Sequence, residues 1–292
     1  EKSDKLILGY DPNGDYQRQN VELEDIRRSV NASLLMRDEL RNEATIGVSY
    51  SKEEDYTSSS ASVSGLWWAD RRKNRSYSAG LSVIYNESYV FTDGYADQYI
   101  DDNLMWDVEV GVNQVLSDKA HISLSAYMNH DFGYLSNHYQ TIVRGIDLNN
   151  DLKITRSEWV LAAEERPDSR TGGGIGALHV WQWDSGITSQ LNYRYFDDDW
   201  GIASHTLNWA LDIPINEELT LLPVVRLYQQ QAAFFYRDAD SNNKVFNGKE
   251  YGSSDQRLGD YTAWHVQIGA QWRPVDQWRL EGQSAVYHQS SS

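Results

Sequence analysis

The sequence predicts an all-β fold, an antiparallel transmembrane β-barrel of about 12–16 strands with short periplasmic turns and long external loops. Three observations carry this prediction. Apolar and polar residues alternate with a period of two along many segments, short turns and long polar loops join these segments, and Trp and Tyr gather towards the segment ends. All three are typical of a barrel with a lipid-facing outer wall and a polar inner wall.

The composition excludes several classes of protein. The chain has 292 residues and a net charge of −17, which argues against nucleic-acid binding because phosphate contacts need clustered Lys and Arg. The absence of Cys excludes disulfides, thiolate metal sites and Cys nucleophiles. No apolar run reaches the roughly 18–20 residues of a membrane-spanning helix. The chain opens with Glu1-Lys2, so we expect a mature or trimmed product.

The alternation is clear in residues 104–113, where Trp106 and Val108 fall on one face of an extended chain and Asp107 and Glu109 on the other. Twelve segments of this kind are predicted as strands. They lie near residues 29–38, 44–52, 57–68, 76–89, 103–116, 119–133, 171–184, 187–198, 202–213, 218–236, 260–273 and 277–288.

Residues 29–288 are therefore expected to form the barrel, and the N-terminal segment 1–28 to add one or two strands. Short turns are predicted at 118–119, 184–186, 216–217 and 276–277, and long external loops at 90–102, 134–170 and 237–259.

A soluble β-sandwich would also alternate, because each of its sheets buries one face. The core of a sandwich favours Val, Ile, Leu and Phe, whereas this chain has 11 Trp and 19 Tyr against 6 Phe. Towards the strand ends stand Trp67, Trp68, Tyr85, Trp181, Trp183, Tyr193 and Tyr195. This placement indicates aromatic girdles at two membrane interfaces and favours the barrel.

Several sequence blocks resemble a known family. They are YRYFDDDWGIASHTLNWALD at 193–212, VVRLYQQQAAFFY at 224–236 and SSDQRLGDY at 253–261, with SYSKEEDYTSSSAS, LMWDVEVGVNQVLSD and GYLSNHYQTI upstream. The set resembles the Gram-negative outer-membrane family catalogued as domain of unknown function 3570, over nearly the whole chain beyond residue 45.

The resemblance implies a barrel in the outer membrane and no established activity. Members of the family are often encoded near small lipoproteins, thioredoxin-like proteins and flavin transferases, which implies a redox context and a lipoprotein or redox partner. The family continues into a last strand ending in an aromatic residue, whereas this chain stops at Ser292. We therefore expect the strand count to be a lower bound.

The sharpest local motif lies in the long loop and matches the spacing of an EF-hand calcium loop. Its predicted Ca²⁺ ligands are Asp147, Asn149, Asp151, Lys153, Thr155 and Glu158. Residues 157–165 would form the exiting helix, with Glu158 closing the site. Leu152 replaces the usual Gly at the sharp turn. The alternative is an acidic, solvated hairpin loop.

Other polar clusters admit simpler explanations. Residues 238–244 and 11–15 are interpreted as turns, because Asn, Asp and Gly favour turn geometry. The run 197–199 of three Asp could collect a cation or pair with neighbouring arginines. Arg194 and Arg226 fall on the polar face, as do Asp107, Glu109 and Asp212, and we expect Arg–carboxylate pairs lacing the lumen.

Catalysis has little support in the sequence, and we expect no enzyme. The seven His show no HExxH or HxH spacing. Ser204 and His205 are adjacent, so in a strand they face opposite sides. The run 171–174 of Thr and three Gly lacks the helix and Lys of a phosphate loop, and is expected either to ease the entry into a strand or to let another group approach the wall closely.

Two functions remain open. The barrel is either a porin-like pore or conduit for small solutes or cations, or a non-conducting scaffold or sheath for a surface or periplasmic partner, such as a redox lipoprotein complex. Small residues on the polar face favour the pore or conduit, because they leave space: Ser58, Ser60, Ser62, Ser64, Ser76, Ser78, Gly80 and Ser82. The expected surroundings are the lipid bilayer and lipopolysaccharide.

Overall fold

The computed structural model describes residues 2–10, 16–24, 26–92, 97–137, 139–147, 153–241, 244–248, 250–275 and 277–291. Within these ranges the side chains are described from residue 26 onward, except at 91–98. All the statements of structure below concern these residues.

The described chain forms strands joined by turns and two short 3-10 turns. The strands are β1 (Lys2–Tyr10), β2 (Tyr16–Glu24), β3 (Arg28–Arg37), β4 (Glu43–Lys52), β5 (Tyr56–Trp68), β6 (Arg75–Thr92), β7 (Asp97–Ser117), β8 (Ala120–Gly133), β9 (Thr141–Gly145), β10 (Trp159–Ala163), β11 (Ser169–Gln182), β12 (Thr188–Asp198), β13 (Ala203–Pro214), β14 (Leu219–Gln230), β15 (Val245–Asn247), β16 (Tyr261–Val275) and β17 (Trp278–Ser291). The 3-10 turns are Arg156–Glu158 and Gln256–Leu258.

Twelve of these strands form one antiparallel sheet, in the order β17-β16-β14-β13-β12-β11-β8-β7-β6-β5-β4-β3. Each of the twelve predicted strands corresponds to one of them, so the predicted fold class is confirmed. Strands β3 and β17 are the two edges of the sheet, and no pairing joins them within the described residues. Strands β1 and β2 form a separate hairpin, and β9, β10 and β15 form a small third sheet.

Three predicted strand boundaries are wrong: the end of β6, the start of β7 and the end of β14. The loop expected at 90–102 is mostly strand, because β6 and β7 remain paired from Arg75↔Gln114 out to Thr92↔Asp97. Their outer part pairs Tyr89 with Ile100, residue types that favour strands. Strand β14 ends at Gln230 instead of 236, since the chain then turns away from the sheet to pack beside Trp200.

The polar and apolar residues of the sheet occupy opposite faces. Across five strands the register aligns Leu34, Ile46, Val63, Leu81 and Val108 in one row. All five side chains are exposed, on the face of the sheet opposite the polar residues. Such a continuous apolar row is what a lipid-facing wall requires.

Aromatic residues flank the apolar rows at both ends of the strands. At the rim of short turns the exposed residues are Trp67, Tyr77, Trp181, Trp183, Trp272 and Trp278. At the rim of long loops they are Tyr50, Tyr85, Tyr89, Phe132, Tyr193 and Trp264. From Tyr77 to Tyr85 the strand is roughly 26 Å long, which at the tilt of about 35–45° usual for barrel strands gives a height of roughly 20 Å, comparable to a lipid-facing band.

No helix in the described ranges has the length and apolar character needed to cross a membrane.

Candidate functional site

The polar face of the sheet, called the lumen face here, differs between its two halves. On strands β4 to β7 it carries small residues, and their hydroxyls bond to one another and to a carboxylate. Ser49 Oγ lies 2.6 Å from Ser60 Oγ, and Ser82 Oγ donates to Asp107 Oδ2 at 3.1 Å. Glu109 borders a cavity in this half together with Ser64 and Ser78. This half is therefore open and acidic.

On strands β8 to β14 the lumen face carries larger side chains, arranged around Gly174. The register places Gly174 between Tyr127 and Phe196, whose rings stack with centroids 6.4 Å apart and planes 10° apart. A Cβ at Gly174 would lie 2.2 Å from the backbone oxygen of Tyr195 and 2.7 Å from Tyr127 Oη. The run of glycines thus lets another group approach the wall closely, as predicted, and that group is Tyr127.

Tyr127 in turn holds an arginine of β12, on the far side of β11. Arg194 Nε donates to Tyr127 Oη at 2.7 Å, and the Arg194 guanidinium carbon lies 4.9 Å from the centre of the Tyr127 ring. A guanidinium over an aromatic face is attracted by the ring quadrupole. Arg194 is therefore fixed on the lumen face.

A cavity of about 390 Å³ opens beside this arginine. Its wall is formed by lumen-facing residues of β11 to β14, and residues of the long loops lie over it. Five arginines line the cavity: Arg166, Arg170, Arg194, Arg226 and Arg257. The hydroxyls of Ser204 and Thr206 line it next to Arg194. The cavity is the centre of the candidate site.

The long loops cover this end of the lumen with a folded structure, called the cap here. It consists of the described parts of 134–168, 199–202 and 231–260. Its apolar centre contains Trp200, Ile202, Ala233, Phe235 and Leu258, and the lumen-facing Phe196 packs against it. Gln230 Nε2 donates to the backbone oxygens of Arg257 and Gly259 at 2.9 and 2.8 Å. Because Phe196 and Gln230 are lumen-facing, the cap rests on the inner side of the wall.

Ion pairs to two buried carboxylates join the loops within the cap. Arg166 contacts Glu164 Oε1 at 2.5 Å and Asp255 Oδ2 at 3.0 Å, and Arg257 contacts Asp255 Oδ2 at 2.6 Å. Burial disfavours the ionised form of Asp255, but the hydrogen bonds and charge of Arg257 and the charge of Arg166 hold its pKa below the ordinary value. Asp255 therefore links the connection 134–168 to the connection 231–260.

The run of three Asp at 197–199 builds a turn. The Asp198 side chain is fully buried, and its Oδ2 accepts from Arg170 Nε at 2.8 Å and Nη2 at 2.6 Å. Its Oδ1 accepts from the backbone N–H groups of Trp200 and Ile202 at 3.0 and 2.9 Å. Of the two roles predicted for this run, pairing with an arginine is the one observed.

The outermost layer of the cap is the small sheet of β9, β10 and β15. Phe246 and Ile142 are almost fully buried there. Arg144 is also buried, donating to the backbone oxygens of Gly248 and Glu250 at 3.0 and 2.7 Å and pairing with Glu165 Oε2 at 3.0 Å. The pairing of β15 with β9 joins two loops that are about 100 residues apart in sequence.

The predicted calcium loop is only partly described. Asn149 and Asp151 lie outside the described residues, whereas Asp147, Lys153, Thr155 and Glu158 lie within them. Glu158 is buried, and its Oε2 accepts from Thr155 N at 2.8 Å and Thr155 Oγ1 at 2.9 Å. Among described residues, no group of three or more His, Asp or Glu side chains is placed to hold a metal ion.

The exiting helix expected at 157–165 is wrong. Arg156–Glu158 forms a single 3-10 turn, and strand β10 follows, with Trp159 paired to Gly145 and Ala163 to Thr141. Alternate residues of β10 are partly buried, the pattern of a strand that packs on one face.

Two further predictions about the lumen face can be compared with the structure. Ser204 borders the cavity, whereas His205 Nδ1 lies 2.7 Å from Tyr193 Oη on the other face, so the expected separation of this pair is confirmed. The expected pairing of Arg194 and Arg226 with carboxylates is wrong, since no carboxylate within the described ranges forms an ion pair with either. Of the lumen-facing carboxylates, Asp198 lies four residues further along the strand of Arg194 but pairs with Arg170, and Asp107 and Glu109 belong to strands on the acidic half.

The sequence reasoning missed the cap and the loop arginines Arg166 and Arg257. Their positions depend on contacts between loops far apart in the chain, which alternation does not report. Arg170 could have been identified, because it has the same parity as the lumen-facing Gly172 and Gly174.

The fold is similar to that of known outer-membrane barrels. The structure of the ferric-catecholate import receptor Fiu from E. coli K12 aligns with a TM-score of 0.50 and 8% identity, over 89% of this chain and 57% of that one. CdiB from Acinetobacter baumannii gives 0.47 and 9%, over 100% and 55%. BamA from Haemophilus ducreyi gives 0.44 and 11%, over 98% and 62%. The chain spans less than two thirds of the length of each.

None of the curated proteins matches the chain. A family does match, across the strands, the cap and the cavity described above. Residues 9–97 and 86–292 fit the family described as "Protein of unknown function (DUF3570)", which is the family that the sequence blocks resemble. Because these two matches together cover nearly the whole chain, the protein belongs to the DUF3570 family.

Proposed function

We propose that this protein is an outer-membrane β-barrel that forms a pore or conduit for small solutes. The observation that carries the proposal is the division of the sheet into two faces. The outward face is apolar between aromatic girdles, whereas the lumen face is lined with hydroxyls and charges and contains open cavities. A polar, hydrated inner wall is what solute passage requires.

The outer membrane of a Gram-negative bacterium is the proposed location, with the rim of long loops on the external side. Support comes from the family, the fold shared with Fiu, and the two girdles. On this placement the cap lies at the external mouth, where loops of lipopolysaccharide-facing barrels are long. The protein acts as a passive conduit and not as an enzyme.

The cap gives the conduit a means of control. It rests on the inner wall through Phe196 and Gln230, so it narrows the mouth on the side of β11 to β14. On the side of β4 to β7 the cap also reaches the wall, where Asn103 Nδ2 donates to the backbone oxygen of Tyr134 at 2.9 Å and Tyr139 bonds to Asp55. Solutes that pass the cap would meet the hydroxyl-lined wall of β4 to β7 and the arginine-lined cavity.

Single-channel recording in planar bilayers tests the proposal. The purified protein should give discrete conductance steps in KCl without any partner. Cap-destabilised variants should give larger steps. Absence of conductance, together with a lipoprotein or redox protein that co-purifies stoichiometrically from native membranes, would favour the scaffold or sheath instead.

Calcium binding at residues 147–158 is proposed as a separate property of the cap. Support comes from the ligand spacing of Asp147, Lys153, Thr155 and Glu158 with the two positions outside the described residues. Trp159 is adjacent to Glu158 and partly exposed, so it should sensitise the luminescence of bound Tb³⁺. Excess Ca²⁺ should quench that signal, and E158Q should abolish it. A signal that survives E158Q would contradict the site.

A further inference from the structure

The charges around the 390 Å³ cavity do not cancel. Three of its five arginines are neutralised by buried carboxylates: Arg166 by Glu164 and Asp255, Arg170 by Asp198, and Arg257 by Asp255. These pairs hold the cap and the turn at 199–202 together. The other two arginines have no such partner among the described residues.

Arg194 and Arg226 are these two residues. Arg194 is held by the neutral hydroxyl of Tyr127, at 2.7 Å, and neither guanidinium forms an ion pair with a carboxylate in the described part of the chain. Glu109 on β7 is three strands away from Arg194, roughly 14 Å along the sheet. Two uncompensated positive charges in a chain of net charge −17 indicate a local preference for anions.

The register places the two arginines on the same face, two strands apart in the sheet. Arg194 lies opposite Thr206, Thr206 lies opposite Tyr228, and Arg226 precedes Tyr228 by two residues on the same strand. Residues two apart on a strand point to the same side. Both side chains are exposed to the cavity, so their donors are available to a ligand.

The surrounding groups suit an oxyanion. A guanidinium presents a planar pair of N–H donors that matches a carboxylate or phosphate. The hydroxyls of Ser204 and Thr206 border the same cavity and supply neutral donors. Gln230 contributes less, since its amide nitrogen already donates to the cap and its oxygen accepts from Tyr228 at 2.6 Å. The volume is near the lower limit for small-molecule sites.

We propose that the cavity is a binding site for the oxyanion group, carboxylate or phosphate, of a small solute, with Arg194 and Arg226 as its principal ligands. The inference rests on the proposed function, because the solute reaches the cavity through the lumen. Water also reaches both guanidiniums and screens their charge, so the binding is weak and reversible, as suits a solute in transit.

Binding and conduction are measured separately to test this inference. Inorganic phosphate and succinate are titrated into the detergent-solubilised protein at constant ionic strength, with calorimetry as the readout. The wild type should bind both with millimolar affinity, and R194Q and R226Q should each weaken binding by about tenfold, the effect of one lost charge-assisted contact. R226K should recover part of the loss. The control R75Q removes an arginine of the opposite rim, whose Nε donates to Gln114 Oε1, and should bind like the wild type.

The outcomes separate this site from the pore. A wild type that conducts KCl but binds neither anion would overturn the site and leave the pore intact. A wild type that does not conduct but binds phosphate through Arg226 would overturn the pore and retain the site. Equal binding by wild type, R194Q and R226Q would overturn the roles of both arginines. If R226Q fails to fold, R226K is compared with R75Q. R226K should bind phosphate more weakly than R75Q, and equal binding by the two would overturn the role of Arg226.

Discussion

Gly174 shows how a missing side chain shapes the lumen wall. The absence of a Cβ lets the Tyr127 ring lie across β11 and reach Arg194. The two aromatic rings on either side of Gly174 also cover its exposed backbone, a known means of stabilising glycine in a sheet.

We predict that G174A lowers the stability of the barrel by about 1–3 kcal/mol, the usual cost of overpacking, because the new methyl group meets the backbone oxygen of Tyr195. Urea unfolding in detergent measures the change. G282A is the matched control, since a Cβ there has no neighbour within 4 Å. Equal losses of stability in G174A and G282A would show that the barrel does not depend on the absence of a Cβ at Gly174.

Asp255 is one of the residues that join the two long connections, through its ion pair with Arg166. Its lowered pKa means that the folded cap favours the ionised carboxylate. This stabilisation is fully present above the ordinary pKa of 3.8 and is lost as the pH falls through the lower, folded-state value. The cap should therefore loosen under strong acid before the strands separate.

We predict that D255N loosens the cap at neutral pH as acid does in the wild type, because Arg166 and Arg257 lose their shared partner. Trypsin should then cleave faster after Arg237 and Arg257, as followed by mass spectrometry. D184N is the control, because Asp184 is almost fully exposed in a short turn and pairs only with Lys119. Equal cleavage of D255N and D184N would contradict the prediction.

At the scale of elements, the strands could be predicted from sequence and the cap could not. A strand of the wall can be recognised from its own sequence, since each second residue must be apolar to meet lipid. Val108 and Asp107, for example, differ because one faces out and the other in. The short strand Val245–Asn247 carries no such pattern, and its partner Thr141–Gly145 lies about 100 residues earlier.

For the candidate site, too, the alternation predicted the faces of the residues but not their partners. Alternation placed Arg194 and Arg226 on the lumen face correctly. It also suggested partners for them, and these were wrong, because the carboxylate next to Arg170 is buried in a turn and Asp107 belongs to the other half of the wall. The odd or even position of a residue along a strand fixes the face of the sheet on which its side chain lies. Which residues of other strands lie near it depends on the order in which the strands pair, and alternation does not show that order.

The outer sheet of the cap has its own small core, so it should open without unfolding the barrel. We predict that F246A removes about 3–5 kcal/mol of local packing, because Phe246 is 1% exposed and lies under the Arg237 guanidinium at 4.5 Å. Trypsin cleavage after Arg237 and Lys244 should accelerate, while resistance of the strands to heat in detergent stays unchanged. F234A is the control, since Phe234 is 65% exposed. Loss of heat resistance in F246A would show that cap and wall are one cooperative unit.

For the whole molecule, the two edges of the twelve-stranded sheet raise the question of closure. All side chains of β3 and β17 are exposed, and the unpaired N–H and C=O groups of an edge cost several kcal/mol in a bilayer. An even number of antiparallel strands places the first and last strands antiparallel to each other. Direct pairing of β3 with β17 is therefore geometrically allowed.

We predict that β3 pairs with β17 in the membrane and closes a twelve-stranded barrel, with the hairpin β1–β2 outside the ring. The chain has no Cys, so engineered pairs can be oxidised without side reactions. Ser33 lies midway along β3 on the lumen face, and S33C should form a disulfide with Q283C or A285C, which lie on the lumen face of β17. S33C with S284C is the matched control, because position 284 points outward and should not react. If no lumen pair reacts and S33C instead links to cysteines placed at 16–24, the hairpin lies between the edges and the barrel has fourteen strands.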